Sequence, residues 1–279
     1  MFWSDRVIVK YFLYYTDANL PQEKQADLAQ VLKIKDALEK KKNNSGRTIL
    51  QHVCISAKEC TKLGDVLDLI VASGVDVNVK CIHSGDTALH YAAFCGYHEV
   101  TKLLLKHGAQ VNEANKKGDT ALHLAAQNDE KAIVKRLGHS SIDATARYQA
   151  FLLGKKKTVE VLLNDKNIDV NAKDKEGQTA LHDAVLHVNE TIVDKLLNAT
   201  NINVNAQETN NKTALHIAAS CGHHEVVQLL LNKRADKTVQ NKEKKTPLEV
   251  AQEALRSCKA EYKYRKVNLE ACINLLQKS

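Results

Sequence analysis

The sequence predicts an all-α protein built from short helix-turn-helix units with projecting hairpin loops, and three observations carry that expectation. The hexapeptide GDTALH stands at residues 85–90 and again at 118–123. Its flanks recur as well, since TALHYAAFCGYHEVTKLLLKHGAQVN from Thr87 is echoed by TALHIAASCGHHEVVQLLLNKRAD from Thr213. Aligned threonines then fall at Thr48, Thr87, Thr120, Thr145, Thr179, Thr213 and Thr246, at intervals of 39, 33, 25, 34, 34 and 33 residues. A period near 33 marks a tandem array of supersecondary units.

Each part of the unit has a physical reason. Threonine before the first helix can accept from an orphan N–H of the turn it opens. In the last unit this becomes Thr246-Pro247-Leu248-Glu249, with proline at the first helical position and glutamate placed for a capping box. Small residues such as Ala92 and Ala93 let one short helix lie close to the next, and Gly96, Gly154 and Gly222 are expected where a helix ends and reverses with positive φ. A second helix follows with apolar residues three and four apart, as in Val100, Leu103 and Leu104, or Val226, Leu229 and Leu230. Segments such as GAQVNEANKKGD (108–119) and NIDVNAKDKEGQ (167–178) then carry the Asn, Asp and Gly chemistry of a projecting turn. One unit cannot bury its own apolar face; a stack of three or more can.

The motif T-x-L-H-x-A at this period resembles the ankyrin-repeat family, from about Gly46 to the C-terminus. The fold implied is an ankyrin-repeat solenoid of six to seven units over residues 46–279, preceded by an N-terminal aromatic segment and capping helix at 1–45. Six of the chain's 13 aromatics fall within MFWSDRVIVKYFLYY (1–15), read as a segment folded back on the first repeat or as a partner-binding arm. The short interval from Thr120 to Thr145 admits two readings. Two repeats are joined without a projecting finger, or residues 129–153 are inserted in one repeat whose second helix is GKKKTVEVLL. The first is preferred, because Thr145 to Gly154 spans the same distance as Thr87 to Gly96. It places a notch in the row of fingers beside Arg147, Tyr148 and Phe151.

Twelve histidines invite a search for catalysis or metal binding, yet His90, His123, His182 and His216 all stand three residues after a repeat threonine. A residue rebuilt once per unit is expected to hold each turn by hydrogen bonds, whereas catalysis needs one prepared environment. No HExxH, phosphate-binding loop, GxSxG or paired-cysteine pattern is present, so neither an enzyme nor a cofactor or metal site is expected. Seven scattered cysteines and no long apolar run suit a reduced, cytoplasmic, membrane-free protein. The net charge of +7 is mild, its lysine clusters at 40–42 and 155–157 read as solvated, and no nucleic-acid surface or small-molecule substrate is expected.

What the resemblance implies is a monomeric scaffold that binds one or more partner proteins through its turn tips and the inner face of its first helices. Carried onto matching positions, the inner face offers Tyr91, Phe94 and Cys95, then Leu124, Gln127 and Asn128. The tips offer Lys116, Lys117 and Asp119, then Lys173, Lys175 and Glu176. Tyr91 and Phe94 are the expected anchors, since aromatics give large contact area at low entropy cost. Alternatives are a bacterial ankyrin effector acting on a host protein in the host cytosol, or a regulatory subunit of an enzyme. Asn112, in LLLKHGAQVNEAN, resembles ankyrin asparagines modified by an oxygen-dependent hydroxylase in animal cells.

Overall fold

The computed structural model describes Thr48, Leu50, Gln51, Cys54, Leu67 and residues 75–127, 143–259 and 261–278, without the side chains of 143–151. The expected N-terminal segment at 1–45 lies outside these residues. The described helices are α1 (Ala88–Cys95), α2 (His98–Lys106), α3 (Ala121–Ala126), α4 (Asp143–Leu163), α5 (Ala180–Leu186), α6 (Glu190–Leu197), α7 (Ala214–Cys221), α8 (His224–Asn232), α9 (Pro247–Ser257) and α10 (Lys263–Gln277). No strand occurs among the described residues.

Helices start where the sequence places threonine. Thr87, Thr179, Thr213 and Thr246 hold extended backbone immediately before α1, α5, α7 and α9, each in a reciprocal cap with the residue three further on. In α9 that residue is Glu249, whose carboxylate accepts from the Thr246 N–H at 2.7 Å. In α1, α5 and α7 it is a histidine. The Thr87 N–H donates to His90 Nδ1 at 3.1 Å, so the ring proton sits on Nε2, which donates to the Asp119 carbonyl at 2.9 Å. His182 repeats this with Thr179 and the Lys212 carbonyl, and His216 with Thr213 and the Lys245 carbonyl. Burial pushes His90, His182 and His216 below the usual imidazole range, which keeps the accepting Nδ1 unprotonated. Gln51 does the same work by amide chemistry: its Oε1 accepts from Thr48 N–H at 2.8 Å and its Nε2 donates to the Asp86 carbonyl at 3.1 Å.

These bridges define the repeat, because every acceptor is the residue just before the next repeat's threonine. His123 therefore decides the irregular interval. Its Nε2 donates to the carbonyl of Gln178, the residue before Thr179. A second bond agrees: Asn112 Nδ2 donates to Asn167 O, 55 residues on, where Asn78 and Asn171 reach Gly108 and Asn201 over 30. The repeat after Thr120 thus begins at Thr179, and the preferred sequence reading of a unit at Thr145 is corrected. Thr145 opens nothing, since α4 runs unbroken from Asp143 to Leu163. Gly154, expected to end a helix, lies inside α4 without positive φ. A Cβ there would stand 2.5 Å from the Gly96 carbonyl oxygen, so this glycine permits a close backbone approach. Residues 152–163 supply the repeat's second helix, and Val159 and Leu162 are buried as Ile192 and Leu196 are in α6. The side chains of Arg147, Tyr148 and Phe151 lie outside the described ones.

The chain's contacts divide it into two compact units, one holding residues up to Ala121 with Phe151–Asn167, the other Leu122–Ala150 with Ile168 onward. In the first, α1 packs on α2, with Leu89, Ala92, Ala93, Val100 and Leu104 in the core. In the second, the first helices α5, α7 and α9 pack in one row while α6, α8 and α10 pack in another. The buried alanines Ala184, Ala218, Ala219 and Ala251 set the close spacing of the first row. At the ends of the first helices, α5 gives way to Val188 at φ 53, where α1 and α7 end on Gly96 and Gly222.

Candidate functional site

Between repeats the chain turns back on itself in a finger whose shape is held from inside. Asn115 Oδ1 accepts from the N–H groups of Lys117 and Asp119 at 2.8 and 3.0 Å, and Asn241 Oδ1 does the same for Glu243 and Lys245. Glu208 takes that place in a third finger, accepting from the N–H groups of Asn210 and Lys212. Burial raises its pKa but these bonds outweigh it, leaving the carboxyl below its usual range. Consecutive fingers within a unit are also joined by backbone, from Lys116 N–H to Ser84 O, Thr209 N–H to Glu176 O and Lys242 N–H to Asn210 O, each at 2.9 Å. Gly85, at φ 77, fits beneath such a joint, where a Cβ would meet Lys116 N at 2.8 Å. The result is a set of tips with fixed backbone and outward side chains.

In the first unit, Tyr91 and Phe94 on α1 are half-buried. The Tyr91 hydroxyl lies 3.4 Å from Ser84 Oγ, so α1 shares a corner with the finger that carries Ser84, whose carbonyl in turn accepts from Lys116 N–H on the next finger. Cys81 sits beneath this corner. Burial raises its thiol pKa, but bonds from Ser84, His83 and Tyr91 prevail and the net direction is down. Lys155 Nζ lies 5.0 Å from the Phe94 ring centroid, and this lysine is 2% exposed, which corrects its reading as a solvated residue. Cation–π attraction is strengthened by such desolvation.

Two expected surface residues are withdrawn by the geometry. Cys95 is 4% and Asp119 5% exposed. Cys95 faces inward at the end of α1, and Asp119 accepts from Asn115 Nδ2 while its carbonyl serves His90. Lys116 and Lys117 are exposed at their tip. In the second unit Leu124 and Gln127 are half-buried on and just beyond α3, with Gln127 Nε2 3.4 Å from Asp183 Oδ2. Lys173, Lys175 and Glu176 are exposed, with Lys173 Nζ donating to Gln207 O at 2.7 Å. Asn128 lies outside the described residues. Among those residues no three histidine, cysteine or carboxylate side chains gather as metal ligands, and no helix is long and apolar enough to cross a membrane.

Comparison with known proteins agrees with this geometry. A family model described as ankyrin repeats (3 copies) matches residues 57–148 and 138–208, and one described as ankyrin repeats (many copies) matches 196–251. An ankyrin repeat protein of Fowlpox virus (strain NVSL) is 33% identical over 131 residues, 45% of this chain and 92% of its own. The E3 ubiquitin-protein ligase mind-bomb of Drosophila melanogaster is 46% identical over 61 residues, which are 22% of this chain and only 5% of that protein. Among solved structures, the ankyrin repeat domain of Bcl-3, a member of the IkappaB protein family, matches with TM-score 0.65 and 24% identity over 90% of this chain and 91% of that one. With bridges in register, a helical two-row packing and family models spanning most of its length, this chain belongs to the ankyrin repeat family.

Proposed function

We propose that the protein is a protein-interaction module that holds a partner through the inner-face side chains and finger tips that each unit presents. Ankyrin repeats are in general protein–protein interaction modules. One observation carries the reading to this chain. The residues that recur in phase in the regular repeats, threonine, histidine, leucine and alanine, are buried and engaged in holding the array, and, although Asp183 in the register of Tyr91 is buried too, several residues that vary between repeats stay accessible. Those are Tyr91, Phe94, Leu124 and Gln127 on the helices and Lys116, Lys117, Lys173, Lys175 and Glu176 at the tips. A surface that varies on a scaffold that repeats is how a solenoid acquires specificity.

Capture from lysate with mass spectrometry supplies a partner, and titration calorimetry then tests the surface. Tyr91→Ala or Phe94→Ala costs about 1–3 kcal/mol of binding, and single tip-lysine variants cost less. If the lysine variants lose more affinity than either aromatic variant, with all of them folded, the interface is electrostatic and the aromatic anchors are wrongly placed.

A further inference from the structure

The chain's positive charge is not spread along it. Residues 233–279 carry twelve lysines and arginines against six acidic residues, so +6 of the net +7 lies there and the preceding 232 residues are nearly neutral. Within this stretch Arg256, Lys259, Lys263, Arg265 and Lys266 cluster around the junction of α9 and α10. Among the described residues none of the five is ion-paired with a carboxylate, whereas Lys245 binds both Glu243 and Glu253. Interleaved with the cations are the most exposed large apolar side chains of the second unit: Tyr262 is 53%, Val267 61% and Tyr264 90% exposed. Tyr264 and Val267 are three apart on α10 and share a face, as do Lys263 and Lys266.

This arrangement is unfavourable for the helix itself. α10 has no side-chain cap and no acidic residue in its first turn, yet Lys263, Arg265 and Lys266 stand at the end where the peptide dipole is already positive. Apolar exposure and an excess of cations without carboxylate partners at one corner are the marks of a surface completed by something else.

We propose that this corner is a second docking surface, separate from the inner face, for an acidic segment of a protein that also carries aromatic or aliphatic side chains. The carboxylates of such a segment lie over the N-terminus of α10, and its apolar residues cover Tyr264 and Val267. Charge complementarity selects the occupant's sign, and the local pattern selects its class. Glu261 and Glu270 sit among the cations and oppose the unbroken phosphate run of a polynucleotide. The apolar side of α10, Leu269, Cys272 and Leu276, is already buried, which leaves too little to enter a bilayer as an interfacial helix does.

The test uses the full chain and a fluorescein-labelled peptide of four Glu-Phe-Asp triplets, with its Gln-Phe-Asn counterpart, an oligodeoxythymidylate of equal length and phosphatidylcholine–phosphatidylserine vesicles as comparators. The acidic peptide binds, the amide peptide binds more weakly, and affinity falls with salt. Both Lys263→Glu/Arg265→Glu/Lys266→Glu and Tyr264→Ser/Val267→Ser weaken it by about tenfold or more. The charge-reversed protein unfolds no earlier than the wild type, because acidic residues suit that helix end; Tyr91→Ala leaves peptide binding unchanged. No binding by the wild type, equal binding by either surface variant, or a preference for the oligonucleotide or the vesicles overturns the proposal.

Discussion

Replacing Gly154 by alanine tests how the third repeat is built. In an ordinary helix interior the change stabilises, by about 0.8–1.0 kcal/mol of helix propensity. Here the new Cβ would stand 2.5 Å from the Gly96 carbonyl oxygen, about 0.9 Å inside ordinary contact, and the obstacle is backbone that no rotamer change can move. Overpacking of this kind costs about 1–3 kcal/mol, with a backbone obstacle placing it in the upper part of that range, so a net loss of about 1–2 kcal/mol remains. At about 2–4 °C per kcal/mol for a chain of this order, thermal unfolding monitored by circular dichroism moves down by several degrees. Asparagine separates close approach from left-handed turning, since it tolerates positive φ but adds more atoms. Gly154→Asn is at least as damaging as Gly154→Ala, while Gly222→Asn, at φ 81 with only side-chain atoms of Leu269 and Asn268 nearby, is tolerated. A Gly154→Ala protein as stable as wild type, or more so, would refute the packing of α4 against Gly96.

Three further outcomes follow from the same geometry. His182→Ala leaves the Thr179 N–H and the Lys212 carbonyl without their bridge, and at about 1–3 kcal/mol for each of the two orphans it lowers urea stability by roughly 2–6 kcal/mol; an unchanged midpoint would remove the structural role assigned to the repeat histidines. Because burial depresses His90, His182 and His216, the unfolded chain binds more protons below its imidazole value of about 6.5. Urea midpoints are accordingly level above that pH and fall as pH drops below it, and a midpoint that rises on acidification contradicts the neutral Nε2–H tautomer. Val188→Gly releases a β-branched residue from left-handed backbone at about 1–3 kcal/mol of strain, less about 0.5–1 kcal/mol of glycine entropy, and raises stability modestly; a destabilised protein would show that the strain is absent.

The regular repeats were legible because each one rebuilds the same contacts from the same letters. Thr87, Leu89, His90 and Ala92 recur as Thr213, Leu215, His216 and Ala218, and position, partner and burial all follow. The third repeat misled because Thr145 and Gly154 copy the spacing of that pattern without its chemistry. Three residues after its threonine a regular repeat carries His, Gln or Glu, each of which accepts from the threonine N–H, whereas the sequence has Tyr148 at that place. Gln51 meets the need as well, its amide doing the work of the imidazole although its letter departs from the motif. At the surface, Cys95 and Asp119 were misplaced because motif position says which face of a helix or turn a residue is on, but not how deep its neighbours cover it. Lys155 shows the reverse error, a charge buried over an aromatic ring that composition assigns to solvent.

The bridge from His123 to Gln178 spans 55 residues where its counterparts from His90, His182 and His216 span 29, 30 and 29. The hydrogen bond is indifferent to the length of chain between its ends, so the register of the array and the length of the polypeptide are decoupled at this point. The third repeat is therefore the place where this chain takes up extra residues without changing which carbonyl its histidine reaches.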